Sequence, residues 1–318
     1  MQLIKLYRNI VEIGIKNDPR PHSVVKAYLG SVKKEYDKLS AKEKELFDKE
    51  RLVNPYADTR VLHGKDSAEI KTIFIGVDME TPELLLADRL NEKGQNIDLV
   101  VSHHPRGAAL ANFYEVMRMQ SDIFYKFGVP ITVAEGLTDE RMMEVKRSVS
   151  ASNHMRSVDA AKLLDIPFMC AHTVADNCVT TYLQNIFDKE KPGTAQEALD
   201  IVRDIPEYKD ASKKNAGPTL LLGKDTGSAG RVFVDMTGGT EGSKEIFAKL
   251  SEAGVGTIIC MHLSEQHYQK AKEAHINVIV AGHISSDTLG INILLDQLEK
   301  LGKFKIIPCS GFERMTHK

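Results

Sequence analysis

A set of histidine and aspartate residues, placed after three short apolar segments, has the clearest chemical potential in this chain. The set comprises His103 and His104 after residues 97–102, His172 and Asp176 after residues 166–171, and His283 and Asp287 after residues 278–282. Short apolar runs of this kind predict buried strands. Because the carboxyl ends of neighbouring strands in an α/β sheet open onto one crevice, the four imidazoles and two carboxylates are expected to meet there.

Two of these clusters have helical spacing. Side chains at positions i and i+4 share one face of a helix. If each strand turns into a helix at its histidine, His172 and Asp176 point in one direction, and His283 and Asp287 do likewise. A helix-start hydrogen bond is the simpler interpretation of any single such pair, but three clusters in one chain favour a shared site.

The adjacent histidines need a break in the strand. A regular strand sends successive side chains to opposite faces, so it could not aim both rings at one point. Pro105 follows directly, and proline lacks an N–H and holds the preceding residue extended. We therefore expect the chain to leave the sheet here, so that the rings of His103 and His104 converge.

Imidazole nitrogen and carboxylate oxygen without thiolate suit a divalent transition ion such as zinc, iron or manganese. Six side chains are more than one open catalytic ion needs, so two ions are expected, with one carboxylate bridging them. The ions carry more positive charge than two carboxylates neutralise. The centre should therefore lower the pKa of a shared water and attract an anionic substrate.

These motifs resemble those of the Nif-three-like family of dinuclear-metal proteins, often labelled GTP cyclohydrolase I type 2. The resemblance covers roughly residues 67–318 and rests on His103-His104-Pro105, His172-Thr173-x-x-Asp176 and Gly282-His283-x-x-x-Asp287. It implies a homo-hexamer and the ring opening of a purine nucleotide such as GTP. It also implies five metal ligands, namely His103, His104, Asp176, His283 and a bridging Asp287, with His172 beside the metals as an outer partner or extra ligand.

The chain departs from the family pattern at two points. The family usually has Glu where this chain has Asp287, and the shorter side chain reduces the reach of a bridging carboxylate. Large apolar residues usually follow the double histidine, whereas Arg106 and Gly107 follow it here. These differences are expected to alter the metal spacing and the lip of the pocket.

Three further residues are weaker candidates for the chemistry. Arg106 and Arg156 could each clamp a phosphate through the two-pronged guanidinium, although surface ion pairing is the commoner role of arginine. Glu135 follows residues 131–134, which we predict to be a strand, and could act as a general acid or base at the crevice. A solvated loop position is the simpler interpretation of Glu135.

Composition excludes several classes of partner. A formal net charge of −2 gives no default preference for nucleic acid or for an anionic membrane. Residues 1–16 lack the continuous apolar core of a secretion signal, and no apolar run approaches membrane-spanning length. The four cysteines form no Cys-x-x-Cys pair, so we expect free thiols in a reducing cytoplasm.

The order of predicted elements indicates an α/β protein of two interleaved domains, with the metal site in the cleft between them. The expected divisions are a helical N-terminal extension at 1–66, a discontinuous metal-binding domain at 67–190 with 278–318, and an inserted α/β domain at 191–277. The expected activity is hydrolysis, in which a hydroxide shared by two metal ions attacks an electrophilic carbon or phosphorus of a small anionic or nucleotide substrate. A two-metal phosphoesterase and a non-catalytic metal-binding or regulatory protein remain the alternatives.

Overall fold

The computed structural model describes residues 1–317 as an α/β fold with two mixed sheets. The strands are β1 (Thr59–His63), β2 (Thr72–Gly76), β3 (Leu99–Ser102), β4 (Phe168–Ala171), β5 (Thr219–Leu222), β6 (Arg231–Asp235), β7 (Val255–Cys260), β8 (Asn277–Val280) and β9 (Lys305–Cys309). The helices are α1 (Leu3–Lys16), α2 (His22–Lys38), α3 (Ala41–Leu46), α4 (Thr81–Glu92), α5 (Gly107–Ala111), α6 (Arg118–Lys126), α7 (Ile131–Ser150), α8 (Arg156–Leu163), α9 (Thr173–Glu190), α10 (Ala195–Arg203), α11 (Pro206–Lys213), α12 (Ile246–Glu252), α13 (Glu265–Glu273) and α14 (His283–Glu299), with single 3-10 turns at Lys49–Leu52 and Phe113–Met117.

Each sheet is parallel except for one edge strand. The first sheet has the order β1-β4-β3-β2-β9 and the second has the order β5-β8-β7-β6. Strands β1 and β5 run antiparallel to β4 and β8, respectively, at the edge of their sheets. The parallel strands of each sheet therefore end at a common edge, which is where ligands bind in α/β folds.

Helices α9 and α14 connect the two sheets. Val174 near the start of α9 packs in the same apolar cluster as Ile73 of β2. Further along α9, Val179 packs with Val234 of the second sheet. The pair is close because Gly290 of α14 has no side chain, and a Cβ there would lie only 2.5 Å from the backbone oxygen of Ala175.

The α/β fold class predicted from the sequence is confirmed, but several element boundaries differ. Residues 131–134, predicted as a strand, form the first turn of α7. A short apolar run does not distinguish a strand from a buried helix. In the structure, Ala134, Thr138 and Met142 recur every four residues on the buried face of this helix.

Two strands lie in sheets that the expected domain divisions did not indicate. Strand β1 belongs to the first sheet, although its residues were assigned to the helical extension. Strand β8 belongs to the second sheet, although residues from 278 onward were assigned to the first domain. Strand β1 pairs with the distant β4, so no local pattern places it, whereas β8 pairs with the preceding strand β7 and with β5.

Among the described residues, no helix combines the length and the apolar composition needed to cross a membrane.

Candidate metal centre

The structure brings the six histidine and aspartate side chains into one cluster at the facing edges of the two sheets. His103 Nε2 lies 3.4 Å from one carboxylate oxygen of Asp176 and 3.4 Å from Oδ1 of Asp287. The other oxygen of Asp287 lies 3.5 Å from His104 Nε2 and 3.6 Å from His283 Nε2. Asp287 is therefore the central carboxylate, with one histidine near Oδ1 and two near its other oxygen.

The double histidine is positioned by the end of β3. The backbone N–H groups of His103 and His104 donate to the carbonyl oxygens of Gly76 and Val77, each at 2.9 Å. These bonds continue the pairing with β2 up to the break at Pro105. The two rings lie side by side, with centroids 5.3 Å apart, as the predicted convergence requires.

The other two clusters lie at helix starts, as the spacing predicted. His172 is the N-cap residue of α9, and Asp176 lies one turn into that helix. His283 begins α14 after Gly282, whose φ of +105° favours glycine. The turn from β8 into α14 therefore depends on a glycine directly before a candidate ligand.

Three of the histidines are held through Nδ1. His103 Nδ1 lies 3.2 Å from the carbonyl oxygen of Ala171. His104 Nδ1 lies 2.8 Å from Asp78, and His172 Nδ1 lies 2.8 Å from Asp58. An acceptor at Nδ1 favours the tautomer with the proton on that nitrogen, which leaves Nε2 free as a metal ligand.

Several buried atoms of the cluster have no hydrogen-bond partner among the described residues. They are His103 Nε2, Asp176 Oδ1 and both oxygens of Asp287. Leaving buried polar atoms unpaired is costly, so such atoms usually mark a bound ion or a functional site. Two ligands placed about 2.1 Å from one tetrahedral ion lie about 3.4 Å apart, which is the spacing found here. The donor set therefore fits a divalent ion, and these groups could hold one.

The ionisable groups perturb one another strongly. Burial lowers the pKa of His103, but the carboxylates of Asp287 and Asp176 outweigh burial and raise that pKa well above its usual value. Burial raises the pKa of Asp287, whereas His103, His104 and His283 hold it far below its usual range. The pKa of His283 is lowered, mainly by burial. The carboxylate of Asp287 therefore stays ionised, as a metal ligand must.

A cavity of about 290 Å³ opens beside the cluster. Five of the six clustered residues line one wall, namely His104, His172, Asp176, His283 and Asp287. Much of the remaining lining comes from the ends of β6 and β7 and the loops that follow them, from Asp235 to Ser243 and from Ile258 to Leu263. A small molecule in this cavity would contact both sheets.

The weaker candidates have different positions. Arg106 lines the cavity, but its guanidinium is paired with Asp78 at 3.0 Å and with Glu80 at 2.7 Å. Arg156, at the start of α8, and Glu135, on α7, are both exposed and outside the cavity lining. The sequence placed Glu135 at the end of a strand facing the crevice, and its helical position removes that basis for an acid or base role.

Sequence reasoning missed residues on both sides of the cavity. Asp58 and Asp78 orient His172 and His104, and neither lies in a cluster motif. Elsewhere in the cavity lining, Asp235, Glu241 and His262 form an acidic group with one imidazole. Asp78 and Asp235 each lie at or just after the carboxyl end of a parallel strand, and that signal could have identified them.

Comparison with solved structures shows one informative likeness. The crystal structure of a NIF3 superfamily protein from Sphaerobacter thermophilus matches with a TM-score of 0.69 and 27% sequence identity, over 80% of this chain and 91% of that chain. Reduced HcgD from Methanocaldococcus jannaschii matches with a TM-score of 0.49 and 17% identity, over 85% of this chain and 97% of that chain. No protein-family model and no curated protein matches this chain.

Proposed function

Because this chain belongs to the NIF3 superfamily, as its likeness to the Sphaerobacter thermophilus protein shows, we propose that it is a dinuclear-metal-dependent hydrolase of a small anionic substrate. His103, His104, Asp176, His283 and Asp287 would hold two divalent ions, zinc, iron or manganese. His172 would complete the set as an outer partner or an extra ligand. The function follows from the site and not from the fold, since one fold serves many functions.

The observation that carries this proposal is the group of buried, unpartnered donor atoms around Asp287. The carboxylates and imidazoles of the cluster lie within ion-pair distance of one another, but these buried atoms have no hydrogen-bond partner among the described residues. Both oxygens of Asp287 face Nε2 atoms at 3.4 to 3.6 Å, too far for strong hydrogen bonds. Such spacing suits a carboxylate that bridges two ions.

Divalent ions bound at such a site supply Lewis acidity, and they lower the pKa of water. The protein residues provide position and charge. Asp58 and Asp78 hold the rings of His172 and His104, so that little reorganisation is needed when a substrate binds. Arg106 lies at the lip, where its existing pairs with Asp78 and Glu80 reduce its capacity to bind a phosphate.

The resemblance in sequence motifs favours ring opening of a purine nucleotide such as GTP as the reaction to test first. A phosphoesterase reaction would use the same donor set and is the nearest alternative. The two differ in product, since ring opening releases no phosphate. Both predict that a chelator abolishes turnover and that added metal restores it.

The first test is metal content by elemental analysis of protein purified without added metal. About two ions per chain are expected in the wild type, with clear losses in His104→Ala and Asp287→Ala. Protein that lacks metal and takes up neither zinc, iron nor manganese would refute the hydrolase proposal. A protein that binds metal and gains stability, but turns over no nucleotide or phosphoester, would instead be a metal-binding or regulatory protein.

A further inference from the structure

The part of the cavity lining that comes from the ends of β6 and β7 carries its own charged group, beside the candidate metal centre. Asp235 ends β6, Glu241 lies in the loop before α12, and His262 follows β7. The ring of His262 lies 5.0 Å, centroid to centroid, from the ring of the candidate ligand His283. This charged group is therefore close enough to the metal centre for one small molecule to contact both.

Glu241 is fixed in place by neighbours on the same wall. Its Oε1 accepts a hydrogen bond from the backbone N–H of Ser264 at 2.7 Å and lies 3.4 Å from His262 Nδ1. Its Oε2 lies 3.5 Å from His267 Nδ1. Although burial raises the pKa of Glu241, the nearby imidazole of His262 and the hydrogen bond from the Ser264 N–H lower it to about 2. This side chain is therefore a fixed anion at the cavity surface.

Asp235 differs because nothing holds it. Within residues 1–317, no hydrogen bond or ion pair to its carboxyl group is found, and only charges at a distance act on it. Burial, followed by the negative charge of Glu241, raises the pKa of Asp235 to about 7. A carboxyl group in such surroundings gains from any nearby donor or cation. Its position in the cavity lining makes a ligand the available source.

The side of the cavity that carries the candidate metal centre gives independent evidence that the cavity binds a ligand. Asp176 and Asp287 line it, are 4% and 1% exposed, and carry oxygens with no hydrogen-bond partner among the described residues. Once two divalent ions are bound, that wall has an excess of positive charge. The cavity lining then combines positive charge at the cluster with the carboxyl group of Asp235, which has no hydrogen-bond partner among the described residues.

We propose that Asp235, assisted by Glu241, is a specificity-determining residue that recognises a protonated amine or amidine nitrogen on a substrate whose anionic group lies at the metal centre. This inference rests on the proposed function, because the anionic end needs the ions. The substrate class is a small molecule with opposite charges at its two ends. A carboxylate suits such a nitrogen because charge-assisted hydrogen bonds are short and strong.

The test is calorimetric binding of two matched series of phosphonates, which lack the ester bond and cannot be turned over. One series is ω-aminoalkyl phosphonates and the other is alkyl phosphonates with a methyl group in place of the amine. The protein is the full chain loaded with whichever of zinc, iron(II) or manganese(II) it retains. We expect the amine to be preferred about tenfold or more at the best chain length.

Two variants test whether Asp235 and Glu241 cause the preference for the amine series. Asp235→Asn removes the charge at nearly constant shape, and Glu241→Gln keeps an oxygen that can accept from the Ser264 N–H. Both should lose most of the amine preference while retaining metal and alkyl phosphonate binding. Glu140→Gln, at an exposed position of α7, is the matched control and should keep the full preference.

The outcomes separate this inference from the function on which it rests. Equal affinity for the two series in metal-loaded wild type would overturn the inference and leave the hydrolase proposal standing. An amine preference that survives in Asp235→Asn and Glu241→Gln would also overturn it. Protein that retains no metal and binds neither series would overturn both.

Discussion

Asp58 holds His172 from a position 114 residues away in sequence, with a distance of 2.8 Å between the carboxylate oxygen and Nδ1. The same oxygen accepts a hydrogen bond from the hydroxyl of Thr173 at 2.6 Å, and the Asp58 side chain is fully buried. The start of α9 is thereby attached to the segment before β1. A carboxylate behind a histidine is a recurring arrangement at metal sites, because it fixes the ring and raises its basicity.

Replacing that carboxylate should weaken metal binding without removing a ligand. We expect Asp58→Asn to lower metal affinity about tenfold or more, since outer partners of metal-binding histidines have effects of this size. Competition with a chromogenic chelator measures the change. Asp98→Asn is a suitable control. Asp98 lies just before β3 and accepts hydrogen bonds from the backbone N–H groups of residues 71 and 72, away from the cluster. Equal affinity in Asp58→Asn and wild type would contradict a supporting role for Asp58.

Removal of the metal should lower the Tm of the protein, and this effect should depend on Asp287 as a metal ligand. A metal present at about a hundred times its dissociation constant stabilises the folded state by about 2.7 kcal/mol. For a chain of this size we expect a rise in Tm of about 5 °C on adding metal to chelator-treated wild type. Asp287→Asn should show no rise. Asp296→Asn, which alters a carboxylate on the same helix that pairs with Arg314, should keep it. A full metal-induced shift in Asp287→Asn would exclude Asp287 as a ligand.

The pH dependence of stability should report on Asp235. Its folded-state pKa of about 7 lies above its usual value of 3.8, so its contribution is fully present below the usual value and is lost as pH rises through 7. Asp235→Asn cannot ionise and escapes this loss. We expect the free energy of unfolding of Asp235→Asn, relative to wild type, to improve by about 2 kcal/mol between pH 4 and pH 8, which is roughly half of what the two pKa values imply because the side chain is partly exposed and solvent screens its charge. Urea unfolding of metal-free protein measures it, and parallel pH profiles for the two proteins would refute the prediction.

The approach of α9 and α14 should be sensitive to a single methyl group. A Cβ at Gly290 would lie 2.5 Å from the backbone oxygen of Ala175, which directly precedes Asp176. We expect Gly290→Ala to separate the helices, to cost about 1 to 3 kcal/mol and to weaken metal binding, because Asp176 and Asp287 lie on opposite sides of this contact.

Gly136 provides the control for that substitution. It lies in α7 with no atom within 4 Å of its would-be Cβ. Gly136→Ala should therefore leave metal binding unchanged and stabilise the protein by up to about 1 kcal/mol, since alanine favours the helix. Denaturant unfolding and metal titration of both variants compare the effects. A neutral Gly290→Ala would show that the helix contact is not limiting.

Much of the fold and the centre of the site could be predicted from the sequence alone. The strand ends at His103, His172 and His283 are local features, encoded by an apolar run and the residue that follows it. The placement of Asp176 on the same helix face as His172 is equally local, since four residues nearly complete one helical turn. Local rules therefore placed the six clustered side chains.

Only the tertiary structure decided which residues support them and what faces them. Asp78 reaches His104 from 26 residues away, and Asp58 reaches His172 from 114. Residues 131–134 became helical because α7 buries a face with four-residue spacing, which a four-residue window cannot reveal. The wall of Asp235, Glu241 and His262 exists because β6 and β7 end opposite the first sheet. Contacts between distant segments depend on how the two sheets pack, and no spacing within one segment encodes that packing.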